Sequence, residues 1–186
     1  MKLVQVEKVG KLQPDAARAL RRVLEEVPLQ VTRAHLRPVE LLAEIRRGSE
    51  LQSPFWGYSG HLFGISIDIE WSAGAEEALN AHCWRATVRD SAALVDPKHF
   101  TYYGYGWKSY GAGVGSPEEA RVLDLVQPYL DVAAPPAQML GLDAADSGNA
   151  LLQREALLAF QRAWLIPPSG ELDLRTRVAG LAFSVA

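Results

Sequence analysis

The sequence predicts an α+β fold, with short strands among segregated helices over residues 1–132 and a small helical domain over 133–186. Three observations carry this prediction. "QPDAARALRRVLEEV" repeats Ala16, Leu20, Val23 and Val27 at helical spacing, with Arg and Glu on the other side. "GISIDIE" alternates, sending Ile65, Ile67 and Ile69 to one face and Ser66, Asp68 and Glu70 to the other. "DVAAPPAQ", residues 131–138, sets two prolines among small residues, and only helical patterns follow it.

Between these landmarks the elements fall in order. "PLQVTRA" is a short strand, and "RPVELLAEIRRGS" a helix that starts at Pro38 and stops at Gly48. "ELQSPFWGYSGH" is a loop of Ser, Gly, Pro and aromatics that delivers the chain into the alternating strand. "GAEEALNAH" is a short helix, and "CWRATVRD" alternates as a strand. "SAALVDPKHFTYYGYGWKSYGAGVG" is loop and strand, rich in Gly and Tyr. "SPEEARVLDLVQPYL" opens with Ser116, Pro117 and Glu119, a helix-start signature. Beyond the seam, "SGNALLQREALLAFQRAWL" is helical, "IPPSGELD" turns, and "LRTRVAGLAF" forms a final short helix.

Composition narrows the function classes. At 48% apolar and 22% charged residues, the 186-residue chain has enough apolar surface for a real core. A net charge of −3 offers no general attraction to nucleic acid or anionic lipid, so no nucleic-acid partner is expected. No apolar run approaches the roughly 20 residues needed to span a bilayer, so no membrane insertion is expected. Cys83 is the single cysteine, which excludes an internal disulfide framework and a cysteine-rich metal site. Any metal must therefore be held by His and carboxylate. No secretory signal is visible at the start. The protein is expected to be made in the cytoplasm, or to act on cell wall or periplasm after release or non-classical export.

The chain has four histidines, His35, His61, His82 and His99. On a straight strand His61 has the wrong parity to share a face with Asp68. Gly60 and Gly64 beside it are what a bend needs to swing the imidazole back over the polar face. A second segment, "VDPKHF", offers Asp96 and His99. Two His and one Asp make a sound three-ligand set for zinc with a fourth position left for water. A carboxylate beside that water is what a hydrolase needs as general base. His82 is a reserve ligand.

"SGHLFGISIDI" resembles the S-x-H-x-x-G-x-A-x-D motif of the zinc D-alanyl-D-alanine carboxypeptidases, with Ser66 at the motif's Ala position. That family includes the vancomycin-resistance peptidases and the L-alanyl-D-glutamate endopeptidases of phage endolysins. "VDPKHF" is similar to the family's second motif, an acidic residue followed three places on by His-Phe. The resemblance implies a small zinc peptidase domain, a short antiparallel sheet flanked by helices. It implies zinc ligation by His61, Asp68 and His99, with Asp96 as catalytic base. It also implies an arginine that contacts substrate and stabilises the oxyanion, carried by Arg37 in "VTRAHLRPVEL", or by Arg33. Ser59, Tyr102 and Trp107 are expected to line the substrate. The aromatic cluster around Tyr102 has a second reading as core and rim packing.

In the second domain, "LLAFQRAWLIPPSGELDLRTRVAGLAF" resembles the peptidoglycan-binding domain also seen in the prodomains of matrix metalloproteases. Phe160, Gln161, Ser169, Gly170, Leu172, Asp173 and Thr176 carry that pattern, and "AQMLGL" stands as the remnant of its first helix. Both resemblances imply peptidoglycan as the partner. Together they imply zinc-dependent, endolysin-like hydrolysis of an amide bond in stem peptides, of L-Ala-D-Glu or D-Ala-D-Ala type. The alternative reading is a non-catalytic peptidoglycan-binding protein with a degenerate peptidase fold.

Overall fold

The computed structural model describes residues 1–48, 55–89, 94–104, 117–131, 133, 135, 140–141 and 149–185, and of 87–89 and 94–96 the backbone alone. Among these residues lie six α-helices and two small antiparallel sheets, a mixed α+β architecture. No described helix is long and apolar enough to cross a membrane. The chain divides into two compact units, Met1–Leu125 and Val126–Val185.

The first unit opens with a hairpin of two three-residue strands, β1 (Val4–Val6) and β2 (Gly10–Leu12). Helix α1 (Pro14–Glu26) follows, with Pro at its start where a missing N–H costs nothing. It buries Ala16, Ala17, Ala19, Leu20 and Val23 on one face. Strand β3 (Val31–Arg33) and helix α2 (Pro38–Arg46) come next. Two 3-10 turns, Trp56–Tyr58 and Gly60–Phe63, then lead into β4 (Ser66–Ile69). Helix α3 (Ala73–Ala81) is capped by Ser72, whose hydroxyl accepts from the Ala75 N–H. Strands β5 (Trp84–Arg89) and β6 (Leu94–Tyr102) and helix α4 (Pro117–Val126) complete the unit.

The main sheet runs β3-β4-β6-β5, antiparallel throughout. Its apolar face follows from the period of two. Ile67 and Ile69 on β4, with Phe100 and Tyr102 on β6, join Leu20, Leu79 and Trp84 in one core. Full burial of a side chain such as Phe100 or Leu20 contributes about 1.5–3 kcal/mol. The opposite face is polar, and its order across the sheet is set by register. Arg33 on β3 stands against Asp68 on β4, and Asp68 against His99 on β6. One pleat along, Ser66 stands against Thr101.

Strand β6 is irregular beside this row. Phe100 pairs with Ala86, yet the next β5 residue, Thr87, pairs with Asp96. The intervening Pro97, Lys98 and His99 are extra residues on β6, a bulge that re-aims side chains locally.

The second unit contains a 3-10 turn (Gln127–Tyr129) and helices α5 (Ala150–Ala163) and α6 (Leu174–Ser184). The buried Phe160 packs with the half-buried Trp164 and Phe183, with ring centroids 4.6 to 6.4 Å apart. Residues 126–131, which the sequence groups with the first domain, lie with this unit. The Arg177 guanidinium donates to the Leu130 carbonyl at 3.0 Å and to the Ala133 carbonyl at 3.3 Å, tying that stretch to α6. Most of "AQMLGL" falls outside the described residues.

Candidate metal centre

Gly64 ends the 3-10 turn in the left-handed conformation, at φ 67°. A Cβ there would also lie 3.1 Å from the backbone N of Gln13, so torsion and close approach both require glycine. The turn brings His61 back over the polar face of β4, where its Nε2 lies 3.2 Å from Asp68 Oδ1. His99 arrives on the neighbouring strand, with Nδ1 2.8 Å from the same oxygen. The two imidazoles are buried and meet edge to face, their centroids 4.9 Å apart.

The outer partners set the tautomers. His61 Nδ1 lies 2.6 Å from the Ala34 carbonyl, which can only accept, so this nitrogen carries a hydrogen. His99 Nε2 faces the buried Glu118 carboxylate, 3.3 Å from Oε2, and donates to it. Their remaining nitrogens both turn on Asp68 Oδ1. Two lone pairs and a carboxylate oxygen converge only if a cation, a proton or a metal ion, sits among them.

The spacing suits a metal. The three ligand atoms lie within 4.8 Å of one another, and the group could hold a metal ion. Ligand bonds of about 2.0–2.2 Å in tetrahedral array put neighbouring ligand atoms roughly 3.3 Å apart. The His61–Asp68 separation is 3.2 Å, whereas the His99–Asp68 separation, 2.8 Å, is that of a hydrogen bond and widens to admit an ion. A His₂Asp set also leaves positions open for water or substrate.

Burial alone would lower the His99 pKa, but the Glu118 charge and the hydrogen bond to Asp68 push it up to about 10. Burial likewise pushes Asp68 up and is outweighed by hydrogen bonds from His61 and His99, which hold it well below the usual carboxylate range. Glu118 is also held down, because the charge of His99 and its hydrogen bond outweigh burial. The buried Glu118 and the half-buried Asp68 are thus both held toward their charged form.

The remaining predicted residues are distributed around this centre. Arg33 reaches Asp68 Oδ2 at 3.3 Å and Glu44 at 3.1 Å. Arg37 points to solvent, with its guanidinium 2.7 Å from Glu40 at the start of α2. Of the two arginines, Arg33 is the one that meets the cluster. Ser59 is buried, and its carbonyl accepts from the Leu62 N–H in the turn that carries His61. Tyr102 sits on the core face against Trp84, 5.4 Å between centroids, opposite the polar face on which a ligand would lie. Its neighbours match the reading as core packing. The backbone of Asp96 lies on β6 at the bulge, three residues before His99, and its side chain is outside the described residues. Trp107 lies outside them too. His82 pairs with Glu26 at 2.7 Å, outside the cluster.

Sequence reasoning missed Glu118. It stands in the first turn of α4, among residues read only as a helix start. Its Oε1 accepts from the Gly60 N–H at 2.6 Å and from the Ser66 hydroxyl at 2.9 Å, and Ser66 is 2.8 Å from the Thr101 hydroxyl. A Cβ on Gly60 would collide with Ser66 Oγ and lie 2.6 Å from Glu118 Oε1, so a second glycine is required by this approach. Comparison of the chain with protein-family models, curated proteins and solved structures finds no match.

Proposed function

We propose that the chain is a zinc-dependent peptidase that hydrolyses an amide bond in peptidoglycan stem peptides. One observation carries the reading. The inner nitrogens of His61 and His99 converge on one oxygen of Asp68, while their outer nitrogens are held by the Ala34 carbonyl and Glu118, and a His₂Asp set leaves positions for water or substrate. Two motifs that resemble the zinc carboxypeptidase and endolysin family, in the same chain order, support it. The second unit's likeness to peptidoglycan-binding domains points independently to the same polymer.

Zinc held by His61, Asp68 and His99 would supply Lewis-acid chemistry, lowering the pKa of water and polarising a carbonyl. The chain's own residues do the rest. His61 and His99 keep their outer hydrogens on the Ala34 carbonyl and Glu118, so that the inner nitrogens stay available. Asp96, next to the bulge that carries His99, is assigned as the base that takes a proton from the attacking water and returns it to the leaving amine. Arg33, at the rim beside Asp68, is the better placed of the two arginines to meet a substrate carbonyl or carboxylate.

The test is digestion of purified sacculi and of synthetic stem peptides by zinc-loaded protein, with products identified by mass spectrometry. New amino termini within the stem peptide are expected, together with their loss in Asp96→Ala. Sacculi that bind the protein and stay intact would instead favour the non-catalytic wall-binding protein.

A further inference from the structure

We infer that Glu118 is the positioning residue of this centre: it holds His99 in the tautomer that presents Nδ1, rather than Nε2, to a metal ion. The inference rests on the reading of His61, Asp68 and His99 as metal ligands and names what fixes one of them.

An isolated neutral imidazole carries its hydrogen on either nitrogen, and only the other nitrogen can ligate. For His99 the choice is made by neighbours on both sides. Nδ1 points at Asp68 Oδ1, 2.8 Å away, on the side of the ligand cluster. Nε2 points away from it, at Glu118, with Oε2 at 3.3 Å and Oε1 at 3.4 Å. Both neighbours are carboxylates, so without a metal ion either nitrogen can carry a hydrogen. A metal ion among the ligands takes the place of the Nδ1 hydrogen, and Glu118 keeps the other on Nε2. Glu118 thus makes the outer contact of a carboxylate–histidine–metal triad.

The surroundings hold Glu118 in this role. It is 1% exposed, so its charge is sustained by what it accepts. Those donors are the Gly60 N–H and the Ser66 hydroxyl on Oε1, and the start of α4 adds the favourable end of the helix dipole. Gly60 and Ser66 flank the ligand His61 and the ligand Asp68 in sequence, so one carboxylate gathers the turn, β4 and β6 about the centre. The same geometry excludes Glu118 as a base. It lies on the Nε2 side of His99, away from the Nδ1 that faces Asp68.

Glu118→Gln is the informative variant. With Oε1 committed to the Gly60 N–H, the amide nitrogen takes the Oε2 position and offers its hydrogens to His99 Nε2. That removes the charge and sets a donor 3.3 Å from Nε2 while preserving shape, so that only the longer Oε1 contact, at 3.4 Å, is left to hold the Nε2 hydrogen. Zinc affinity, measured by competition with a chromophoric chelator, is expected to fall about 10–100-fold. The melting temperature of the metal-free variant, followed by circular dichroism, is the control for a merely structural effect. A nitrogen-15 NMR spectrum of zinc-loaded wild type gives a readout that needs no variant, and metal-bound Nδ1 with protonated Nε2 is expected at His99.

Equal zinc affinity in Glu118→Gln and wild type overturns the inference, as does a metal-bound Nε2. If Glu118→Gln does not fold, the wild-type spectrum decides alone. A wild type that binds no zinc at all instead overturns the reading of the centre itself.

Discussion

Arg33 places its guanidinium 3.3 Å from Oδ2 of Asp68, the carboxylate oxygen that the two histidines leave unoccupied. Asp68 is thereby held at both oxygens, by His61 and His99 on Oδ1 and by Arg33 on Oδ2. The relationship follows from register, because β3 sets Arg33 directly against Asp68. It also orients the carboxylate so that one oxygen faces the cluster.

Arg33 and Arg37 are therefore expected to separate in experiment. Arg33→Ala should weaken zinc binding by roughly tenfold, in the range seen when groups that orient metal ligands are removed. Arg37→Ala should leave zinc affinity unchanged, since its partner is Glu40 at the rim of α2. The chelator competition measures both, and an Arg37 effect as large as that of Arg33 would contradict the assignment.

In the second unit, Gln161 is buried and its side chain joins four groups. Its amide nitrogen is 2.9 Å from Ser169 Oγ, 2.9 Å from the Glu171 carbonyl and 2.8 Å from Thr176 Oγ1, and its oxygen accepts from the Gly170 N–H at 2.9 Å. Gln161→Ala strips the buried Gly170 N–H and Thr176 hydroxyl of this partner, at about 1–3 kcal/mol for each one left unpaired. A lower thermal midpoint with unchanged zinc affinity is the expected outcome.

Asp173 caps α6, its carboxylate accepting from the Thr176 N–H at 2.8 Å and the Ser169 hydroxyl at 2.8 Å. Partial burial raises its pKa, but these hydrogen bonds outweigh that and leave it lowered. A lowered folded pKa means stability that is fully present above the ordinary carboxylate value of about 3.9 and is lost as pH falls through the folded one. Asp173→Ala should cost about 1 kcal/mol at neutral pH. Asp173→Asn keeps a good cap and should flatten this part of the acid dependence. Denaturant titrations across the acid range provide the check.

Legibility in the sequence tracked the range of the interaction. The alternation of "GISIDIE" and the two glycines around His61 are local, and they were sufficient to bring His61 and Asp68 into one reading. The hairpin β1–β2 was not foreseen, because strands of three residues are too short to show a period. Arg33 and Arg37 stayed alternatives, because only the pairing of β3 with β4 distinguishes them. Glu118 was invisible for the same reason on a longer scale, since its contact with Gly60 spans 58 residues and its own surroundings read as a helix start. Ser66, at the motif's Ala position, shows its use only once Glu118 is beside it. The pattern from Phe160 to Thr176 was legible as a motif, and much of it is the wiring of one turn through Gln161.

The most direct test of the central claim is the metal content of purified protein, by mass spectrometry, after loading with zinc and dialysis, beside His61→Ala. One zinc per chain in the wild type, lost in the variant, is the predicted result. A wild type that holds no zinc when it is supplied, or a variant that holds as much, would contradict the account.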